Sequence, residues 1–192
     1  LGYPIPQYAH LPIILAPDGS KLSKRHGATS ILEYRQMGYL PQAMVNFLSL
    51  LGWSLDDRTE IMSAEDLINY FTVERVVRSG AIFSTDKLNW MNGYYIRQLS
   101  QTELVNAIID FWKRYPPREL DGIPDRLLLF RIVPLIQERM KKLADAAPLI
   151  SFFFEDEPKY DYGDLVQKGM DRHGTRALLG AALVAISGDL DF

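Results

Sequence analysis

Ser30 with Glu33, Ser63 with Asp66, and Ser100 with Glu103, each a serine with an acid three residues on at the head of a helix-like segment, constrain this chain more than any other feature. In such a pair the serine hydroxyl accepts from a backbone N–H of the first helical turn, while the acid reaches back to the serine N–H. Two donors that a helix start leaves unpaired are then satisfied together. Each pair therefore predicts a helix, with Asp66 the weaker partner of the three acids. Gly38 closes the first helix, because a left-handed cap costs glycine nothing, and Pro41 suits the first position of the next. Leu40, Met44, Phe47, Leu48 and Leu51 recur at helical spacing before Gly52. The helix opened by Ser100 must end before Pro116-Pro117. Asp125 to Ala147 is helical in composition with a bend or interruption expected at Pro134, and Arg172 to Ser187 is a further helix ending at Gly188. Only Pro12-Ile13-Ile14-Leu15 reads as a short buried strand, and Pro17-Asp18-Gly19 after it carries turn chemistry. The fold class expected is mainly α, one strand fragment followed by many helices, with a seam near Leu99 to Gln101.

Composition excludes several classes of function. The 192 residues are 47% hydrophobic and 23% charged, the balance of a globular protein with a real core. No stretch approaches the roughly 18 to 20 apolar residues of a membrane helix. The opening Leu1-Gly2-Tyr3-Pro4-Ile5-Pro6 has neither basic flank nor signal-like core, lacks an initiating Met, and reads as the middle of a domain. The absence of cysteine removes disulfide and thiolate chemistry and fits a reducing, cytoplasmic setting. A net charge of −3 argues against broad nonspecific nucleic-acid binding but not against a local basic site. His10, His26 and His173 are far apart in sequence, so no metal site is expected, and each histidine reads as structural or superficial. The acidic stretch Glu155 to Asp164 reads as a solvated loop.

Positive charge without any acid is concentrated in Lys21-Leu22-Ser23-Lys24-Arg25, directly after the strand and its turn. Two ammonium groups, a hydroxyl and a guanidinium on a short loop form a compact device for holding a polyphosphate. A P-loop is rejected, since its first glycine would fall at position 14, which is Ile. No G-x-G-x-x-G dinucleotide fingerprint occurs either. Taken alone, the five residues are also compatible with a solvated basic turn.

Context decides between these readings. Tyr8-Ala9-His10-Leu11-Pro12-Ile13-Ile14-Leu15 through Gly27 resembles the KMSKS-type signature of class I aminoacyl-tRNA synthetases, in the Lys-Leu-Ser-Lys-Arg spelling of glutamyl-tRNA synthetases. Tyr39-Leu40-Pro41-Gln42-Ala43, with Asn46-Phe47-Leu48 and Leu51-Gly52-Trp53, resembles the helix pair that follows the motif in that family. Asp86-Lys87-Leu88-Asn89-Trp90-Met91-Asn92-Gly93-Tyr94-Tyr95-Ile96-Arg97 resembles the family's next block, in the family's order. Beyond residue 101 the likeness thins, and Leu143 to Asp156 is its best remaining piece.

The resemblance implies a fold, a reaction and a site. Residues 1–100 would comprise the end of a Rossmann-like catalytic domain, with the strand and KMSKS-type loop, followed by a helical stem-contact region. Residues 101–192 would form part of a helical anticodon-binding region. The reaction implied joins glutamate to ATP as glutamyl-adenylate and passes the glutamyl group to tRNA. ATP with Mg2+ would be the nucleotide substrate, and no bound cofactor is expected in this stretch. Carried over by position, Lys24 is the lysine that meets ATP, Lys21 the motif's first lysine, Ser23 its hydroxyl, and Arg25 stands where a serine closes the better-known spelling. The family's HIGH-type histidine motif has no counterpart here. The chain therefore reads as a C-terminal piece that does not catalyse alone, and a monomer without membrane attachment is expected.

Arg75, Arg78, Arg139, Lys141 and Lys142 are candidates for phosphate contacts with tRNA. Trp53, Trp90, Tyr94 and Tyr95 suggest base stacking, although the helical spacing of Trp90 and Tyr94 with Leu88 and Met91 assigns those two to the core. Two other readings remain: a noncatalytic helical tRNA-binding or protein-interaction module that keeps a synthetase-like loop, and a glutamine-specific relative. The helical second half argues against the last, whose anticodon domains are β-barrels.

Overall fold

A computed structural model describes residues 2–27, 30–155, 161, 163–166 and 168–187. The pairs begun by Ser30, Ser63 and Ser100 form reciprocal caps. Ser30 N–H donates to Glu33 Oε2 at 2.9 Å and opens α1 (Ile31–Gln36), and Ser100 N–H donates to Glu103 Oε2 at 2.8 Å and opens α5 (Gln101–Arg114). Ser63 and Asp66 cap α3 (Ala64–Tyr70) with two bonds of 3.0 Å, so the shorter acid works as well here. Pro41 stands at the start of α2 (Pro41–Ser49). Ser84 caps α4 (Thr85–Gln98) and Asp125 caps α6 (Arg126–Ile136). The helix ending at Ser187 is α8 (Arg172–Ser187), opened by Asp171, whose carboxylate accepts from Gly174 N–H at 2.7 Å; Gly188 lies outside the described residues.

Two expectations change. The strand is shorter than Pro12–Leu15, and it has a partner that composition did not reveal. β1 (Ile14–Leu15) pairs in parallel with β2 (Ala81–Ile82), Ile14 opposite Ala81 and Leu15 opposite Ile82. Gly80 leaves room for the Leu15 side chain, whose tip would stand 2.6 Å from a Cβ there. The helix over Asp125–Ala147 does not break at Pro134. It runs through the proline to Ile136, tightens into a 3-10 turn at Gln137–Arg139, and resumes only as a 3-10 turn at Leu143–Asp145 leading into α7 (Ala146–Ile150).

Packing separates the chain into Leu1–Phe154 and Glu155–Phe192. Within the first unit, Leu104, Val105, Ile108 and Trp112 of α5 meet Leu129, Ile132, Val133 and Ile136 of α6, with Ile96, Met140, Ala146 and Ile150 completing one cluster. Leu40 and Ala43 of α2 join it, so this core spans both sides of the Leu99–Gln101 seam. A second cluster under β1 and β2 gathers Tyr34, Tyr39, Phe47, Phe83, Leu88 and Met91. Each fully buried Leu or Phe of this kind stabilises the fold by about 1.5–3 kcal/mol.

Three polar side chains stitch these clusters together. The buried Asn92 amide accepts from Leu40 N–H at 2.8 Å and donates to the Lys141 carbonyl, tying the start of α2 to the segment before α7. Asn46, also buried, accepts from Met62 N–H at 3.0 Å and lies 2.9 Å from the Tyr95 hydroxyl. Gln137 donates to the carbonyls of Ile96 and Leu99, both at 2.9 Å, and so closes the last turn of α4.

Candidate functional site

The basic loop is the return arm of a tight hairpin. Ala16 N–H donates to the Ser20 carbonyl at 2.8 Å and Gly19 N–H to Ala16 at 2.9 Å, with Gly19 at a φ of 79°. Lys21 bridges antiparallel to Leu15, and Leu22 N–H donates to the Ile14 carbonyl at 3.0 Å. Lys21 is thus fixed to a strand, while Leu22 packs against the second core cluster. Ser23 then caps a 3-10 turn, Lys24–His26, that carries Lys24 and Arg25 outward, and both are exposed with Lys21. Ser23 is half-buried.

His26 is tied into this loop rather than standing apart on the surface. Its Nδ1 accepts from Ser23 N–H at 3.2 Å, and its Nε2 lies 3.2 Å from Ser20 Oγ. Ser20 in turn donates from both N–H and Oγ to Asp18 Oδ1, at 2.9 and 2.7 Å. These Ser20 bonds hold the Asp18 carboxyl below its ordinary range. The Lys-Leu-Ser-Lys-Arg pattern drew attention to the cations; the signal for the tie was Asp18, Ser20 and His26 flanking them.

The candidate tRNA contacts lie in three places. Arg75 lies over the buried Trp53 ring, 5.5 Å from its centroid, and donates to the carbonyls of Ser54 and Leu55 at 3.0 and 2.6 Å. Arg78 lines a separate concavity with Tyr8, His10 and Glu74. Arg139 and Lys141 share a recess of about 380 Å³ with Trp90, Gly93, Arg97 and Glu138. The Lys141 and Lys142 backbone is held by Asp145, which accepts from both N–H groups at 2.9 Å.

Trp90 is not a core residue. It is 46% exposed on the outer face of α4, whereas Leu88, Met91, Asn92 and Ile96 face inward. Helical spacing placed it near core residues in sequence, but Trp90 and Arg97 lie seven residues apart on the opposite stripe. Tyr94 is half-buried and packs edge-on against Tyr95, ring centroids 5.9 Å apart. Arg97, overlooked in the sequence, brings a third cation to the Trp90 recess, with its Nε 3.9 Å from Glu138.

Comparison with known proteins matches both halves of the chain. Residues 1–90 match the family described as tRNA synthetases class I (E and Q), catalytic domain, and residues 102–191 match the family described as anticodon binding domain. A glutamate–tRNA ligase of Dehalococcoides mccartyi is 48% identical over the whole chain, and one of Moorella thermoacetica is 41% identical over 95% of it. This chain belongs to the glutamyl-tRNA synthetase family. It covers 40% and 36% of the length of those two relatives. A crystal structure of a glutamate tRNA ligase from Elizabethkingia meningosepticum in complex with its amino acid superposes with a TM-score of 0.74 at 29% identity, over 99% of this chain and 40% of that one. The described residues are mainly helical, as in the C-terminal part of a class I synthetase with a helical anticodon-binding domain, and include a short two-stranded sheet. Among the described residues no helix is long and apolar enough to cross a membrane.

The blocks that resemble the glutamyl-tRNA synthetase family have clear physical tasks here. Tyr39 of the second block donates from its hydroxyl to Asn89 of the third at 2.6 Å. Asn92 of the third block holds Leu40 of the second. Gly93 lets the chain at Met140–Lys141 approach, since a Cβ there would stand 3.3 Å from the Met140 carbonyl.

Proposed function

We propose that this chain is the stretch of a glutamate–tRNA ligase that supplies the ATP-phosphate loop and the helices that meet tRNA. The observation that carries this reading is the anchored hairpin: it fixes Lys21 on a strand edge and projects Lys24 and Arg25 from a turn whose exposed face is cationic. In adenylate formation the glutamate carboxylate attacks the α-phosphorus of ATP and pyrophosphate leaves. Charge grows on the leaving oxygens, so Lys24, assisted by Lys21 and the Ser23 hydroxyl, stabilises the transition state more than bound ATP. Arg25 adds a second, more diffuse cation. Mg2+ would enter with the ATP phosphates as part of the substrate.

In this reading residues 1–100 carry the loop and the stem-contact helices, and residues 101–192 belong to the anticodon-binding region. Arg139, Lys141 and Lys142 meet the tRNA backbone, beside Trp90 and Arg97. Arg78 is a further contact, and Arg75 contributes less because its guanidinium is already engaged. The setting is cytoplasmic, and the protein acts as a monomer. The second reading, a noncatalytic tRNA-binding module, draws support from the Trp90 recess alone.

The test is Lys24→Ala in the full-length ligase that carries this stretch. Adenylate formation should fall by about 100-fold or more with tRNA affinity unchanged. Normal activation with weakened tRNA binding would transfer the loop to RNA recognition. The 192-residue chain alone should show no ATP–pyrophosphate exchange above a matched blank, even with glutamate and tRNA present.

A further inference from the structure

We propose that His26 is a positioning residue: its imidazole sets the shape of the loop that presents Lys21, Lys24 and Arg25, an inference that rests on the phosphate-loop reading for its catalytic consequence. Its Nδ1 faces the Ser23 backbone N–H at 3.2 Å and the Ser23 hydroxyl at 3.1 Å. Nδ1 accepts from Ser23 N–H at 3.2 Å, and a ring nitrogen that accepts carries no hydrogen. With Nδ1 accepting, the arrangement that satisfies every group puts a hydrogen on Nε2, 3.2 Å from Ser20 Oγ, and lets it donate there. That leaves the Ser20 hydroxyl hydrogen to donate to Asp18 Oδ1 at 2.7 Å. The donors run in one direction from Ser23 N–H through the imidazole and Ser20 to the carboxylate. Asp18 Oδ2 stands 3.7 Å from Nε2 and favours a hydrogen on that nitrogen.

This chain of bonds joins two parts of the loop. The hairpin that bears Lys21 is held to β1 through Leu22 and Ile14. The turn that bears Lys24 and Arg25 is held within itself by His26 N–H to Ser23 at 2.9 Å and Gly27 N–H to Lys24 at 3.4 Å. The imidazole spans from the N-cap of that turn to Ser20 at the hairpin tip, and so ties the turn back to the hairpin. Without it the cations keep their charge but sample more arrangements, and a phosphate must then order them on arrival. The expected loss is in catalytic positioning, not in charge.

The first readout needs no ATP. In the 192-residue chain, nitrogen NMR of His26 should show an unprotonated Nδ1 and a protonated Nε2. Trypsin should cut after Lys21, Lys24 and Arg25 about tenfold faster in His26→Ala than in the parent chain, with helix content unchanged, because local opening exposes the loop. His26→Asn places an amide oxygen where Nδ1 stands and should return cleavage most of the way to the parent rate. A ring protonated on Nδ1, parent-rate cleavage of His26→Ala, or no rescue by His26→Asn would each overturn the proposal.

The second readout uses the full-length ligase with Lys24→Ala alongside. His26→Ala should lower kcat for adenylate formation about tenfold, leave KM for ATP within about twofold, and be rescued in part by His26→Asn. A silent Lys24→Ala would sink the phosphate reading itself. A costly Lys24→Ala with a silent His26→Ala would sink only the positioning role.

Discussion

The side-chain amide of Gln101 donates to the carbonyl oxygen of Phe130, the acceptor that Pro134 deprives of its helical partner. A proline has no N–H to give the carbonyl four residues before it, and an unmet acceptor is a common reason for a helix to break there. Here the first residue of α5 supplies the missing donor from outside, and α6 continues through the proline. Gln101→Ala should destabilise the fold by about 1 kcal/mol. In a Pro134→Ala background, which restores the helical N–H, most of that cost should vanish. A double-mutant cycle by urea denaturation reads the coupling, and strict additivity would refute it.

Gly38 adopts a φ of 86°, and its carbonyl accepts from Leu143 N–H at 2.9 Å. A Cβ at this position would stand 2.6 Å from the Ala144 nitrogen, which belongs to backbone and cannot swing aside. Gly38→Ala should therefore cost at least about 2 kcal/mol, strain and overlap together. Gly122 has a φ of 91° with open space around it, so Gly122→Ala should cost only the backbone strain. Paired thermal melts should rank Gly38→Ala well below Gly122→Ala.

Asn92→Ala should cost about 2–4 kcal/mol, because it leaves the Leu40 N–H and the Lys141 carbonyl unmet around a fully buried side chain. Asn92→Asp keeps the acceptor but sets a buried carboxylate against the Lys141 carbonyl, and should cost at least as much as the alanine. Chemical denaturation of the three chains checks the order.

Stability should fall at both ends of the pH scale. Ser100 holds the Glu103 carboxyl below its ordinary value of 4.5 through side-chain and backbone hydrogen bonds. A lowered value means that the unfolded chain binds the proton more readily, so the contribution is complete above about 4.5 and is lost as pH falls. Burial raises the Tyr39 hydroxyl from 10.0 to about 12. For this group stability is complete below 10 and is lost as pH climbs from 10 to about 12. Melts of Ser100→Ala should show a flatter acid limb, and melts of Tyr39→Phe a flatter alkaline limb.

Trp90→Ala should weaken tRNA binding by about 1–3 kcal/mol, the usual worth of one stacked base, with little loss of fold stability since the indole is 46% exposed. Filter binding of tRNA at two salt concentrations would separate this from the cations. Trp90→Ala should leave the salt slope unchanged, whereas Arg139→Ala and Lys141→Ala should lower it.

Helix starts were legible in the sequence because their physics is local. A serine and an acid three residues apart can satisfy each other within one turn, and Ser30, Ser63 and Ser100 all cap helices, whereas Ser54 with Asp57 at the same spacing opens none. The cationic segment at Lys21–Arg25 was legible for the same reason, as a contiguous run beside turn residues. Pairings across the chain were not. Nothing near Ala81 announces that it will lie beside Ile14, nor near Gln101 that it will complete the turn at Pro134. Trp90 carries the same local pattern as a core residue, and only the direction in which α4 packs turns it outward. His26 shows the boundary most clearly. Its place in the sequence made it one histidine among three, and the fold of the hairpin set Ser20 and Ser23 at its two ring nitrogens. Contacts within one turn follow from residue order, whereas those between distant segments exist only once the cores of Leu104 and Phe47 have brought their elements together.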